Sequence, residues 1–366
     1  MHVKESTIGS AAAVICAIGL ATAGSFAQEG GDEPLADTAL DRSMTDECGG
    51  RSPKPTIPCE DDVARMLNAL PATAPARPAQ PRKVLVVGVS QGYQHSSIPL
   101  AARTIQEMGK KTGAWTTDVS YHAGSVNAAN LEQYDAIFLA STTGTFLDEP
   151  NPFDDPAVQA VTDARRRAFL DFVRGGKGIA GIHAAGDAYH ARVGPRPRRN
   201  RGERLPPCTA ALPTPGGGGG VSLWDDYITL IGGYFKWHWN YPTAITVKIE
   251  DPDNPINAAF GGRSFNTIDE VYTYNDASWS RGNVRVLTSI DYSLMSDCDK
   301  GLENNPRPDH DYGLSWIRRE GEGRVFYQAL GHHESIYYNN PAMLEHILAG
   351  MQYALGDLEA DDSPSR

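Results

Sequence analysis

Positive charge is in short supply in this chain of 366 residues, where 33 Lys and Arg stand against 45 Asp and Glu for a formal net charge of −12. A nucleic-acid partner demands a basic footprint to neutralise phosphates, so none is expected. Close cysteine pairs are missing as well. None of the five cysteines sits in a CxxC spacing, which excludes a cysteine-built zinc site. The turn that closes the first strand lacks the G-x-G-x-x-G fingerprint, so no nucleotide cofactor is expected. No HExxH helix offers a ready-made metal site. Beyond the amino-terminal segment, no apolar run approaches the length needed to cross a bilayer.

What is present begins with an export signature. Residues 1–27 read as a secretory signal, with Lys4 near the start, an apolar stretch over 11–20, and Ser25-Phe-Ala27 as a small-x-small cleavage site. The mature protein is then expected in the periplasm or secreted, with no membrane attachment once the signal is removed; an uncleaved membrane anchor is the alternative. In an oxidising compartment Cys48, Cys59, Cys208 and Cys298 become disulfide candidates. Three pairings are possible, and sequence proximity favours Cys48 with Cys59, leaving Cys208 with Cys298. Residues 28–82 are rich in proline and read as a tether with one short helix, where Val63, Met66, Leu67 and Leu70 fall on one face.

From Lys83 the pattern changes to alternating strands and helices. Strands are expected over residues 84–90, 115–122, 134–141 and 178–182, with helices over 98–112 and 156–174 between them. Further strands are expected over 244–250, 284–291 and 324–330, a helix over 223–232, and a closing helix over 341–355. This alternation implies βαβ crossovers, hence an α/β fold with a mostly parallel sheet and helices on both faces, spanning residues 83–356. The acidic residues 357–366 are expected to be disordered. Residues 191–222 read as an inserted loop with six Arg between Arg192 and Arg204 and five glycines from Gly216. A solvated loop is the simpler reading of it, and a greeting for an anionic ligand the other.

The stretch from Lys177 to Asp187 concentrates the functional signal. Small and β-branched residues from Gly178 to Ile182 suit a buried parallel strand, and His183 then falls at its carboxyl end, the edge where open α/β sheets bind ligands. Small neighbours around His183 resemble the sharp elbows that expose a reactive group, here an imidazole. A histidine hydrogen-bonded inside the core is the competing reading. Gly331 delivers His332 to the end of a later strand in the same way. His95 lies in the loop after the first strand beside Tyr93, and His238 lies among Trp237 and Trp239.

If these imidazoles converge, two chemistries fit. One is a divalent ion, zinc or manganese, held by His183, His238 and His332, with Asp187 as carboxylate ligand or base. The other is metal-free acid/base work by His183 and His332. Tyr93, His95, Trp237, His238 and Glu334 are the candidate substrate-binding residues, because aromatic faces beside polar groups suit sugars. A carbohydrate-binding protein without catalysis is the alternative to an enzyme.

These motifs together resemble the ThuA-like, or trehalose-utilisation, family, whose fold is similar to the class I glutamine amidotransferases. The pieces that match are Tyr93-Gln-His95, residues 178–185 with Asp187, Leu230-Ile-Gly-Gly-Tyr-Phe235 to His238, Asp269-Glu-Val-Tyr272, and Gly323-Arg-Val-Phe-Tyr327 to His332. The resemblance implies a flavodoxin-like sheet and a role in glycoside or keto-sugar metabolism. In the amidotransferases the elbow carries Cys, and a later strand ends in His-Pro-Glu. Here His183 holds the elbow and Gly331-His-His-Glu334 the later position, so glutamine hydrolysis is expected to be lost. The segments 191–222 and 295–308 are longer than the family pattern.

Overall fold

The structure, a computed structural model, describes residues 57–150, 155–191, 220–303 and 306–365. The expected signal, the first part of the tether, Cys48, Cys208 and most of the Arg-rich insertion lie outside these residues. One sheet of nine strands organises the rest. In chain order its strands are β1 (Lys83–Val87), β2 (Thr116–Ser120), β3 (Ala136–Ala140) and β4 (Gly178–Ile182). A two-stranded pair, β5 (His190–Ala191) with β6 (Val221–Ser222), stands apart. The large sheet resumes with β7 (Phe235–Ile249), β8 (Phe265–Tyr274), β9 (Arg285–Ile290), β10 (Gly313–Glu320) and β11 (Gly323–Gln328).

The spatial order is β2-β1-β3-β4-β11-β10-β9-β7-β8. From β2 through β11 every neighbour is parallel, and from β11 through β8 every neighbour is antiparallel. The α/β expectation therefore describes the half that carries helices on both faces. The other half is built from strands joined without crossover helices, which leaves antiparallel pairing as the accessible geometry. β8 and β10 escaped the sequence reading, since Asp, Glu, Arg and Thr within them dilute the period-two signal.

Alternation along the central strands sorts the core into two layers. Val84 and Val86 face the helices Ile98–Thr112 and Pro341–Ala354, whereas Leu85 and Val87 face Pro156–Arg174. Each buried aliphatic side chain of this kind contributes roughly 1.5–3 kcal/mol. Two of these helices start on a proline that follows an acceptor cap: Asp155 receives the Ala157 N–H at 2.8 Å, and Asn340 receives that of Ala342 at 3.1 Å.

Two segments outside the expected α/β domain are part of the folded unit, the tether's helix through the apolar stripe expected to dock and the tail against expectation. The helix Glu60–Ala69 docks through Met66, fully buried, and Leu70. Gln352 closes a pair of hydrogen bonds with the backbone of Ala76, and Arg82 forks onto Asp357 at 2.7–3.1 Å. The tail expected to be disordered continues past Asp357. The Tyr353 hydroxyl donates to Asp362 at 2.9 Å, and the Ser365 hydroxyl accepts the Val286 N–H at 2.9 Å. Its acidic residues are not mutually repelling in solvent, because Arg82, Arg285 and Arg319 meet them.

His346 illustrates the cost of polarity in this core. It is fully buried, with Nδ1 against the Ile256 carbonyl at 3.1 Å and Nε2 against the Ser315 hydroxyl at 3.1 Å. Burial pushes its imidazole down to about 4. The unfolded chain takes up this proton near pH 6.5 and the folded chain only near 4. Stability from His346 is thus complete above pH 6.5 and falls away by about 3 kcal/mol as pH drops to 4. Urea unfolding of wild type and His346→Leu at several pH values is expected to show the wild type losing ground on the variant below pH 6.5. A gap constant with pH would refute this.

Candidate metal centre at the carboxyl edge of the sheet

Four polypeptide segments deliver side chains to one point. The exits of β1, β4 and β11 bring His95, His183 and His332, and β8 brings Glu270. That β8 can do so follows from the pairing of β7. Only Val247, Lys248 and Ile249 of β7 pair with β9, so the part from Phe235 to Thr243 pairs with β8 alone, as a two-stranded arm. The arm folds over the elbow, where the ring of Tyr272 lies 4.3 Å from that of His183.

His183 is the first residue past β4 and has φ +46°. A non-glycine residue in this region is strained, and such strain persists only where surroundings over-determine it. Here the Tyr327 hydroxyl donates to the His183 carbonyl at 2.5 Å, and Nδ1 of the ring lies 2.9 Å from the Ala329 carbonyl. A Cβ on Gly186 would meet the Tyr327 hydroxyl oxygen at 2.5 Å, so glycine is what lets that tyrosine reach the elbow. His332 is held by a different device. The buried carboxylate of Asp269 accepts three successive backbone N–H groups, from Gly331 at 2.6 Å, His332 at 3.2 Å and His333 at 3.0 Å.

The ligand atoms of His95, His183, Glu270 and His332 all lie within 4.8 Å of one another. His183 Nε2 is 3.2 Å from His95 Nε2 and 3.6 Å from Glu270 Oε1, while His332 Nδ1 is 3.3 Å from the same Oε1. A tetrahedral shell with zinc-like bonds of about 2.0–2.2 Å has edges of roughly 3.3–3.6 Å. These three contacts match such edges, and every other pair in the group lies within 4.8 Å. With Nδ1 of His183 donating to the Ala329 carbonyl, Nε2 is the ring nitrogen turned toward the other ligands, the arrangement metal-bound histidines adopt. His332 Nδ1 faces Glu270 Oε1 at 3.3 Å without making a hydrogen bond, as a nitrogen aimed at a shared cation would.

The charges are strongly coupled. Burial alone would raise the Glu270 carboxyl, but His183, His332 and His238 outweigh it and hold it far below the usual carboxylate range. Burial lowers the His332 imidazole, and Glu270 more than compensates, so it ends above its ordinary value. For His238 desolvation wins over the Glu270 charge, and its imidazole is depressed.

Several expected site residues sit elsewhere. His238 is beside the group and pairs with the second oxygen of Glu270, outside the four-ligand set. Asp187 turns from the metal group and binds His190 Nε2 instead, because the turn over His183–Asp187 carries it one helical step past the elbow. Trp237 and Trp239 pack edge to face at 5.0 Å in the core, so neither offers a face to a sugar. Glu334 lies 3.9 Å from His333 Nε2. Tyr93 is 59% exposed at the rim and meets His95 edge-on. The sequence reading missed Glu270 as a member of the group and Asp269, Tyr272 and Tyr327 as supports. An acidic pair inside an otherwise β-forming stretch was the available signal.

The model of a family described as trehalose utilisation (ThuA) matches residues 83–202 and 216–354. No curated protein matches the chain. Among solved structures, a ThuA-like protein from Bacteroides uniformis is similar at 17% identity with a TM-score of 0.50, over 76% of this chain and 94% of that one. A ThuA-like protein from Parabacteroides merdae shows 17% identity and a TM-score of 0.47, over 78% of this chain and 95% of that one. The B. uniformis likeness concerns the fold.

Proposed function

This chain belongs to the trehalose-utilisation (ThuA) family, and from that premise we propose that it is a metal-dependent enzyme acting on a glycoside or keto-sugar. The observation that carries the reading is the convergence of three imidazoles and one carboxylate, their ligand atoms within 4.8 Å of one another, on the ligand-binding edge of the sheet. His95, His183, Glu270 and His332 would hold the ion, with zinc or manganese matching the mixed nitrogen and oxygen donors. A bound ion of this kind polarises a carbonyl or hydroxyl oxygen and makes attached water more acidic.

The remaining work falls to the protein. His238, partly exposed and held neutral, can accept or return a proton at the rim of the group. The Asp187–His190 pair is a second proton carrier, with its imidazole stacked against Tyr234 and Phe235; Phe235 in turn packs on His238. Tyr93 supplies an apolar face for a sugar ring. Without a thiol at the elbow, glutamine hydrolysis has no nucleophile. Export is part of the same reading, supported by the amino-terminal pattern, and disulfides at Cys59 and Cys298 are proposed with it. Cys48 and Cys208 are the partners proposed for them.

Elemental analysis of untagged protein tests the reading directly, with about one divalent ion per chain expected. His183→Ala should lose both the ion and turnover across a panel of keto-glycosides. Metal-free protein, or unchanged turnover in the variant, would sink the metal-dependent reading. Sugar binding with no product would leave a carbohydrate-binding protein.

A further inference from the structure

The exit of β3 lies between those of β1 and β4, the strands whose exits carry His95 and His183. β1 and β4 stand two strand spacings apart, roughly 10 Å. The two imidazoles nevertheless meet, with ring centroids 4.8 Å and Nε2 atoms 3.2 Å apart, so the pair closes over the end of β3. Ser141 is the residue at that end. Ala140 is in register with Ile182, which makes Ser141 the cross-sheet neighbour of His183. We propose that Ser141 is a further catalytic residue of this site, its hydroxyl donating a hydrogen bond to the oxygen, of water or of substrate, on which the histidines act. The proposal rests on the enzymatic reading above and adds a residue to it, whether or not a cation takes part.

Two costs meet at Ser141. Its side chain is fully buried, and the hydroxyl oxygen has no hydrogen-bond partner among the described residues. Its φ is +52°, in the left-handed region that His183 also occupies. An unpaired buried hydroxyl and a strained backbone each lower stability. Glycine would carry neither cost, so stability alone does not call for serine. The neighbouring loops hold the strained turn in place. On one side the Gln91 N–H donates to the Thr143 carbonyl at 3.0 Å, which stitches the turn to the loop bearing His95. On the other the Tyr189 N–H donates to the Gly144 carbonyl at 3.0 Å, which stitches it to the turn that follows His183.

A ligand oxygen accounts for both costs. With the same register and the same left-handed φ, Ser141 leaves its strand as His183 does, toward the ligand-binding edge. A hydroxyl donates without carrying charge, so it serves an oxygen there without opposing the imidazoles or Glu270. In a buried site, a donor fixed where negative charge develops on oxygen acts more strongly on the transition state than on the ground state.

Ser141→Gly and Ser141→Ala in the full chain test this, with urea midpoint, metal content and turnover of keto-glycosides measured on the same samples. Ser141→Gly should unfold at or above the wild-type urea concentration and hold as much metal, while its kcat falls about tenfold or more and KM stays within a few-fold. Ser141→Ala should lose kcat likewise. Unchanged turnover in both variants would overturn the proposal. So would a lower midpoint in both, because the hydroxyl would then be a structural bond. Metal-free wild type whose turnover depends on Ser141 would uphold the residue and remove the metal-dependent reading. If wild type turns over no keto-glycoside, the enzymatic reading fails, and the midpoints alone decide: at or above wild type, serine is held for a ligand; below it, for the fold.

Discussion

Glu270→Gln is expected to weaken divalent-metal affinity roughly a thousand-fold. Oε1 of Glu270 is the only anionic donor in the four-ligand set, and both of its oxygens face imidazole nitrogens at 3.3–3.6 Å. Losing the one anionic donor, partly offset by the amide oxygen and by screening, costs on the order of 4 kcal/mol, which corresponds to that factor. Glutamine preserves the volume, so packing of the arm over the elbow should survive. Competition against a chelator of known affinity at fixed pH measures the change. Affinity within a few-fold of wild type would show that Glu270 is no ligand, and would turn attention to acid/base chemistry by the histidines alone.

The second large effect is structural. Gly331 has φ +132°, and a Cβ there would meet Ile182 Cγ1 and the Tyr337 hydroxyl oxygen, each at 2.9 Å. Gly331→Ala therefore combines backbone strain of about 1–3 kcal/mol with overpacking of similar size. A loss of roughly 2–5 kcal/mol is expected, a large share of the stability of an ordinary domain. Because the same turn presents three N–H groups to Asp269, His332 should also leave the metal group. Gly113→Ala is the control. Gly113 is also left-handed, at φ +69°, but nothing lies within 4 Å of the added methyl, so only the conformational cost of about 1–2 kcal/mol remains. Denaturant unfolding of the two variants should separate them clearly. Equal losses would mean that the crowding around Gly331 relaxes at no cost.

The site was partly legible because its histidines follow strands that announce themselves. Buried parallel strands read as continuous apolar runs, and glycine or a run of small residues marks where each ends, so His183 and His332 could be placed on one edge before any coordinates. His95 reads in sequence as a binding residue on the same edge, and the structure brings it into the four-residue group. Glu270 stands inside the matching motif Asp269-Glu-Val-Tyr272, where nothing in the sequence marks its role. Its contribution depends on an arm that reaches across the sheet from the far side of β9, and no local periodicity encodes that reach. The Trp237 and Trp239 expectation failed for a related reason. An aromatic cluster looks the same in sequence whether it lines a pocket or fills the core beneath one.

Local chemistry along the chain determined the elements: where apolar runs of period two or 3.6 begin, where proline and glycine stop them, and that strand–helix alternation demands crossovers. It also determined that imidazole stands at the elbow in place of a thiol. Only the folded chain decided that the carboxylate comes from Glu270 and not Asp187, that His238 stands aside, and that the acidic tail is bound. Those outcomes rest on contacts between segments far apart in sequence, whose closure is set by the packing of the whole sheet and not by any stretch within it.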